Sequence, residues 1–242
     1  MKIVGIIPSR YASVRFPGKP LAPLRGKAMV LHVLEAATEA SRLDQAIVAT
    51  DDERIAAAVR AIGGEVLLTS SEAASGTDRL AEAARSIPAD VYVNVQGDEP
   101  VMSPANIDRA VETLLTDSLR KIASLAIPLP ADQASDPNIV KVAVAADGRA
   151  LYFSRAAIPY PRGGEARYRK HLGIYAYRAA TLAEIAALPP SPLERIESLE
   201  QLRWLEAGLE VWIGEAVSDS IGVDTPEDLA RAEDWLRKEA VS

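Results

Sequence analysis

The chain opens on an apolar run, Ile3-Val4-Gly5-Ile6-Ile7, which stops at Pro8 and gives way to a polar loop. An unbroken Ile/Val run of that length predicts a strand buried on both faces, as in a parallel sheet. Val30, Val33, Leu34 and Ala37 then recur at helical spacing, which predicts a helix over about 29–41. Residues 46–50 read as a second strand, and Asp51-Asp52-Glu53 opens a helix with Ile55, Ala58, Val59 and Ile62 on one face, ended by Gly63-Gly64. A third strand is expected over 65–69, followed by the turn Ser75-Gly76-Thr77-Asp78-Arg79, a helix with Leu80, Ala84 and Ile87 inward, and a strand over 91–95. Repeated β-α units of this kind predict an α/β fold with a doubly wound, mostly parallel, Rossmann-like sheet.

Beyond a helix near 104–116 the texture changes. Residues 122–127 and 140–145 are strand-like, and Asp147-Gly148 is a hairpin signal before a further strand at 150–153, giving a small β-rich insertion in the second half. Pro159, Pro161, Gly163 and Gly164 mark a loop suited to a lid or an interface. Arg155, Arg162, Arg167, Arg169 and Lys170 cluster around it, which fits either an anionic substrate or a solvated face. The alternation over 171–177 places His171, Gly173, Tyr175 and Tyr177 on one strand face. Ser191-Pro192-Leu193-Glu194 is a capping box, predicted to open one long amphipathic helix that carries Glu200 and Gln201 and ends at Gly208. After a strand at 209–213, Thr225-Pro226-Glu227-Asp228 starts the last helix.

Composition narrows the class. At 242 residues the chain is long enough for one large domain, and 1–242 is read as such. The absence of cysteine removes disulfide and thiolate chemistry and fits a reducing compartment. A net charge of -7 argues against a general nucleic-acid partner. No apolar run approaches bilayer length and the first residues show no signal-peptide pattern, so a cytoplasmic protein with no membrane partner is expected.

The chemistry concentrates in the first loop, where Arg10, Arg15 and Lys19 follow the opening strand. Loops at the carboxyl ends of parallel strands are where open α/β sheets hold ligands, and three cations there fit a polyphosphate better than bulk water. Neither glycine-rich phosphate motif occurs, so the grip is by side chains. Asp98, between Gly97 and Pro100, is either a turn-former or a ligand for a hard cation such as Mg²⁺. Asp224 is equally placed to cap a helix or bind metal; Asp51 and Asp52 read as capping residues, and His32 as a packing residue.

Across nearly its whole length the chain resembles the 3-deoxy-manno-octulosonate cytidylyltransferases, also called CMP-Kdo synthetases. The matching stretches are Ile7-Pro8-Ser9-Arg10-Tyr11-Ala12-Ser13 through Gly18-Lys19-Pro20-Leu21, Ser75-Gly76-Thr77-Asp78-Arg79, and Asn94-Val95-Gln96-Gly97-Asp98-Glu99-Pro100. They continue with Leu151-Tyr152-Phe153-Ser154-Arg155, His171-Leu172-Gly173-Ile174-Tyr175, Glu200-Gln201-Leu202-Arg203 and Gly222-Val223-Asp224-Thr225-Pro226. The first motif is shared widely among sugar nucleotidyltransferases, whereas the His171 and Glu200-Gln201 stretches are specific to this family.

The resemblance implies a nucleotidyltransferase fold, with about 120–180 contributing sugar binding and dimerisation. It implies transfer of CMP from CTP to the anomeric hydroxyl of 3-deoxy-D-manno-octulosonate (Kdo), releasing pyrophosphate, in lipopolysaccharide biosynthesis, by an Mg²⁺-dependent homodimer. Carried over by position, Arg10, Ser13, Arg15, Lys19, Ser75, Thr77 and Arg79 would hold the nucleotide, and Asp98 and Asp224 the metal. Arg10, Lys19, Asp98 and Asp224 would be catalytic. Gln96, Arg155, Arg162, His171, Tyr175, Glu200 and Gln201 would line the sugar pocket. Two carboxylates with Mg²⁺ would activate the attacking hydroxyl, so His171 is not assigned as a base. Alternatives are a cytidylyltransferase for 8-amino-Kdo or a sialic acid, and a non-catalytic nucleotide-sugar binding protein.

Overall fold

The opening run of Ile and Val forms the first strand of an α/β fold seen in a computed structural model that describes residues 1–12, 15–73 and 75–239. In chain order the elements are β1 (Ile3–Ser9), β2 (Pro23–Leu24), β3 (Lys27–Ala28), α1 (Met29–Glu39), β4 (Gln45–Thr50), α2 (Glu53–Ala61), β5 (Glu65–Leu68), α3 (Gly76–Ala84) and β6 (Val91–Asn94). They continue with α4 (Pro104–Leu115), β7 (Ile122–Leu129), β8 (Lys141–Val144), β9 (Ala150–Ser154), β10 (Tyr168–Arg178), α5 (Ala179–Ala186), α6 (Pro192–Glu197), α7 (Gln201–Glu206), β11 (Val211–Glu215) and α8 (Pro226–Glu239). The chain forms two units: Met1–Asp108 together with the segment from Ser220, and Arg109–Asp219.

In the first unit β1 pairs in parallel with β4 on one side and β6 on the other, and β5 extends the sheet beyond β4. Val4, Ile6 and Ile7 are fully buried, which is why the run carries no polar alternation. The connections step from β1 to β4 to β5 and then return to β6 across β1. That reversal opens a crevice at the carboxyl ends of β1 and β6. Three helices cover the sheet with most of the apolar stripes read from sequence. Two expected positions fail: α2 ends at Ala61 and leaves Ile62 exposed, with Ala56 buried beside Ile55 and Val59, and α3 stops at Ala84 and leaves Ile87 outside the helix. The last segment is fastened to this unit by Val223 and Ala232, which pack with Leu24, Met29 and Val101.

In the second unit β7 pairs in parallel with β11 and antiparallel with β10, while β8 and β9 form the hairpin turned by Asp147-Gly148. The region 120–180 lies within this unit. β10 is irregular: Leu172 faces Leu125 and Tyr175 faces Ser124, so Gly173 and Ile174 bulge out of register. Because two residues are inserted, His171 and Tyr175 keep the same face while Gly173 drops out of the expected row.

The long helix expected from 192 to 208 is two helices. The capping box at Ser191 and Glu194 is present, but Ser198 takes a left-handed conformation (φ 53, ψ 48) and breaks the run between α6 and α7. The physical reason lies in the end of β9. Glu197 accepts hydrogen bonds from Ser154 Oγ at 2.6 Å and from the Arg155 amide at 2.9 Å, and its carbonyl accepts from Arg155 Nε at 2.9 Å. These contacts hold the chain where a continuing helix would carry it away, and the turn buries Leu199 and Gln201. Ser198→Gly is therefore expected to be neutral or to raise stability by up to about 1 kcal/mol, whereas in a continuous helix glycine would cost about that amount. Chemical denaturation of the two proteins gives the sign.

Candidate active site

The crevice between β1 and β6 is a pocket whose walls come from four places in the first unit. Pro8, Ser9, Arg10, Arg15 and Lys19 follow β1; Ser75, Gly76 and Arg79 open α3; Gln96, Gly97 and Asp98 follow β6; Asp224 precedes α8. At its centre the Lys19 ammonium donates to Asp98 Oδ2 at 2.9 Å, Asp224 Oδ1 at 3.1 Å and the Val223 carbonyl at 2.9 Å. Arg15 pairs with the other oxygen of Asp224 at 2.8 Å. Burial disfavours the charge on Lys19, whose side chain is 12% exposed, but the pull and hydrogen bonds of the two carboxylates outweigh it and hold its pKa above the ordinary lysine value.

Local sequence explains how these groups meet. The amide of Gly18 donates to the Tyr11 carbonyl at 3.0 Å, closing the cationic loop at its base. Gly18 has φ +72, and a Cβ there would sit 2.9 Å from Tyr11 Oη, so a glycine is required. The Tyr11 ring also carries the Arg54 guanidinium, 3.4 Å from the centroid. Gly97 allows the loops after β1 and β6 to touch: a Cβ there would lie 2.5 Å from the Pro8 carbonyl and 2.4 Å from Ser9 Oγ. The Val223 amide donates to the Asp98 carbonyl at 2.8 Å and brings Asp224 alongside.

The two readings of Asp224 separate here. Helix α8 is capped by its neighbours, since Asp228 accepts from the amides of Asp224 and Thr225 and Thr225 Oγ1 accepts from the Asp228 amide. The Asp224 carboxylate is left to the cations. Asp52 caps α2 by accepting from the Arg54 amide, and Asp51 pairs with Arg79 at 3.0 Å. Among the described residues no three His, Asp or Glu side chains gather to hold a metal. Two carboxylates converging on one cation nevertheless fit Mg²⁺, which takes one or two carboxylates beside phosphate oxygens and water.

Other expected nucleotide residues are placed differently. Arg10 is exposed on the pocket wall. Ser75 reaches the wall, yet its hydroxyl is engaged with Asp78 in the capping box of α3. Thr77 is buried, and Arg79, 2% exposed, is tied to Asp51, Thr69 and the Ser70 carbonyl, so it braces the wall. Ser13 lies outside the described residues.

Of the residues expected to meet the sugar, Gln96 belongs to the first unit and the rest to the second. His171 and Tyr175 lie side by side with ring centroids 5.4 Å apart; Phe153 meets the imidazole edge-on at 4.9 Å and Trp204 meets Tyr175 at 4.9 Å. Gln201 is buried and Glu200 is half-buried, 4.0 Å from Arg203. Arg155 is committed to main-chain carbonyls, with Nε on Glu197 and Nη1 on Pro137. Arg162 is exposed in the loop before β10. Ser124, which the sequence reading passed over, donates to the Ile174 carbonyl and lies 2.9 Å from His171 Nε2; its signal was a lone hydroxyl in the otherwise apolar run Ile122-Ala123-Ser124-Leu125-Ala126.

Burial pushes the His171 pKa from 6.5 down to about 3, so the folded protein keeps this ring neutral where the unfolded chain protonates it. Its contribution to stability is present above pH 6.5 and is lost as pH falls toward 3, because the unfolded state then binds the extra proton. Between pH 7 and pH 5 the native protein is expected to lose about 2 kcal/mol more than His171→Gln, measured by urea denaturation at each pH. Parallel pH profiles for the two proteins would contradict the buried neutral assignment.

Residues 4–213 match the cytidylyltransferase family. The chain is 52% identical to the 3-deoxy-manno-octulosonate cytidylyltransferase of Syntrophobacter fumaroxidans, covering 100% of this chain and 99% of that protein. It is 48% identical to the enzyme of the same name from Bacteroides thetaiotaomicron, over 98% of this chain and 99% of that one. Among solved structures, CMP:2-keto-3-deoxy-manno-octonic acid synthetase complexed with CTP superposes with a TM-score of 0.95 at 43% identity, over 99% of this chain and 100% of the other. With its pocket at the sheet's switch point and similarity running the full length, the chain belongs to the 3-deoxy-manno-octulosonate cytidylyltransferase family.

Proposed function

We propose that this protein transfers CMP from CTP to the anomeric hydroxyl of Kdo, forming CMP-Kdo and releasing pyrophosphate. The observation that carries the reading is the convergence of Arg15 and Lys19 on Asp98 and Asp224 in the β1/β6 crevice, in a chain matched end to end by a synthetase solved with CTP. Arg10, Arg15 and Lys19 hold the triphosphate and offset the charge that builds on the leaving pyrophosphate. The opening of α3 and Arg79 support the nucleotide side of the wall. Asp98 and Asp224 would hold Mg²⁺, which neutralises phosphate oxygens and lowers the pKa of the attacking hydroxyl. His171, Tyr175, Glu200 and Gln201 orient the sugar acid. The Arg155 guanidinium is committed to main-chain carbonyls, so the carboxylate role falls to a more exposed arginine such as Arg162. The family resemblance extends the reading to a cytoplasmic homodimer that serves lipopolysaccharide biosynthesis.

The test is pyrophosphate release with CTP and a panel of Kdo, 8-amino-Kdo and a sialic acid. Turnover with Kdo is expected; turnover confined to another sugar acid would replace the substrate, and CTP binding without turnover would indicate a silent binder. Lys19→Ala should lose about 2 to 4 kcal/mol in kcat/KM for CTP, the scale of one removed oxyanion partner. Asp224→Asn should fold with α8 intact and lose most activity, with partial recovery at raised Mg²⁺ or with Mn²⁺. Full activity of Asp224→Asn with an unchanged Mg²⁺ requirement would remove the carboxylate from the metal site.

A further inference from the structure

Ser124 sits on β7 opposite the bulge of β10, where three polar atoms converge on its hydroxyl. Its Oγ is 2.8 Å from the Ile174 carbonyl, 3.3 Å from the Leu172 carbonyl and 2.9 Å from His171 Nε2. A serine hydroxyl has one proton. Two of its neighbours are carbonyl oxygens, which can only accept, and an oxygen 2.8 Å from another oxygen with no proton between them is repelled. The proton therefore goes to the nearer carbonyl, that of Ile174, with the Leu172 carbonyl left at the longer 3.3 Å, and the imidazole contact is satisfied when His171 Nε2–H donates to Ser124 Oγ. A neutral imidazole with its proton on Nε2 has a lone pair on Nδ1.

Nδ1 of His171 has no hydrogen-bond partner among the described residues, while the residue keeps 8% of its surface exposed. The edge-on contact with Phe153 and the tilted contact with Tyr175 fix the plane of the ring. We propose that Ser124 is a positioning residue that locks His171 as the Nε2–H tautomer, so that Nδ1 is presented as a fixed acceptor for a hydroxyl of the sugar acid. This rests on the reading that His171 lines the sugar pocket. An acceptor that stays neutral takes O–H or N–H donors and turns away carboxylate and carbonyl oxygens. The edge of the sugar acid that meets His171 is accordingly a hydroxyl edge, and its carboxylate lies elsewhere. The bulge at Gly173-Ile174 is what makes this possible, because it delivers the carbonyl that takes the serine proton.

Long-range ¹⁵N correlation spectra of histidine-labelled protein test the tautomer directly, without substrate. The chain has two histidines, and His32→Gln assigns the signals. Near neutral pH His171 is expected with Nε2 protonated and Nδ1 bare. Ser124→Ala should mix the two tautomers and raise the KM for Kdo about tenfold, the scale of one hydrogen bond, with the KM for CTP within about twofold of the native value. Ser124→Thr, which keeps the hydroxyl, should restore both properties. A native His171 protonated on Nδ1 overturns the proposal, as does an unchanged tautomer in Ser124→Ala or an equal rise in both KM values. If Ser124→Ala does not fold, the native spectrum and Ser124→Thr still decide. Failure of Kdo as substrate would leave the tautomer result standing and would count against the proposed function alone.

Discussion

The Lys19 ammonium shared by Asp98 and Asp224 is the interaction on which the nucleotide half of the protein depends. It draws together the loop after β1, the loop after β6 and the segment before α8, which are far apart in sequence. Each partner needs the others: the carboxylates would repel across an unfilled gap, and without them burial alone would pull the lysine pKa downward. A pocket built this way is electrically matched before a ligand enters. A polyphosphate entering it would compete with the carboxylates for Lys19 and Arg15, and a divalent cation would compete with Lys19 and Arg15 for the carboxylates. Each ligand would then relieve the opposition to the other, and a coupling of that kind is reciprocal.

The second unit uses cations for a different purpose. Lys141 is fully buried with its ammonium on the carbonyls of Asp136, Ile139 and Arg155, and burial lowers its pKa against that support. Arg155 binds the carbonyls of Pro137 and Glu197. Together they pin the turn at 136–139, the end of β9 and the break before α7 to one another. Their positive charge satisfies main-chain acceptors that have left regular structure, which is a structural use for residues that composition alone would send to an anionic substrate.

The first sheet was legible because its strands are buried on both faces and its helices carry apolar stripes, so periodicity and burial agree at Val4, Ile6, Ile7, Val30, Val33 and Leu34. Lys19, Asp98 and Asp224 stood out as loop residues next to strands or helix starts, where the fold dictates position. The roles of Arg155, Arg79 and Ser124 were not legible in the same way. Each is decided by a carbonyl or carboxylate brought in from a distant segment, and sequence spacing carries no trace of such partners. The break at Ser198 escaped for the same reason: a good capping box and a helical pattern on both sides favour continuity, and only the grip of β9 on Glu197 opposes it. Side-by-side placement of His171 and Tyr175 was legible only because the bulge inserts two residues; a single insertion would have turned the two rings to opposite faces.

The return of the chain to its first unit after residue 219 sets an order of events during synthesis. A ribosome releases β1, the cationic loop, β6 and Asp98 long before it releases Asp224, because the whole second unit is made in between. Domains tend to fold as they emerge, starting from the amino-terminal side. Throughout that interval Lys19 has one carboxylate instead of two, and Leu24, Met29 and Val101 lack Val223 and Ala232 to cover them. The nascent chain is thereby left with an open apolar seam and an incomplete charge cluster until the segment from Ser220 has been made, and the pocket closes only after the second unit is complete.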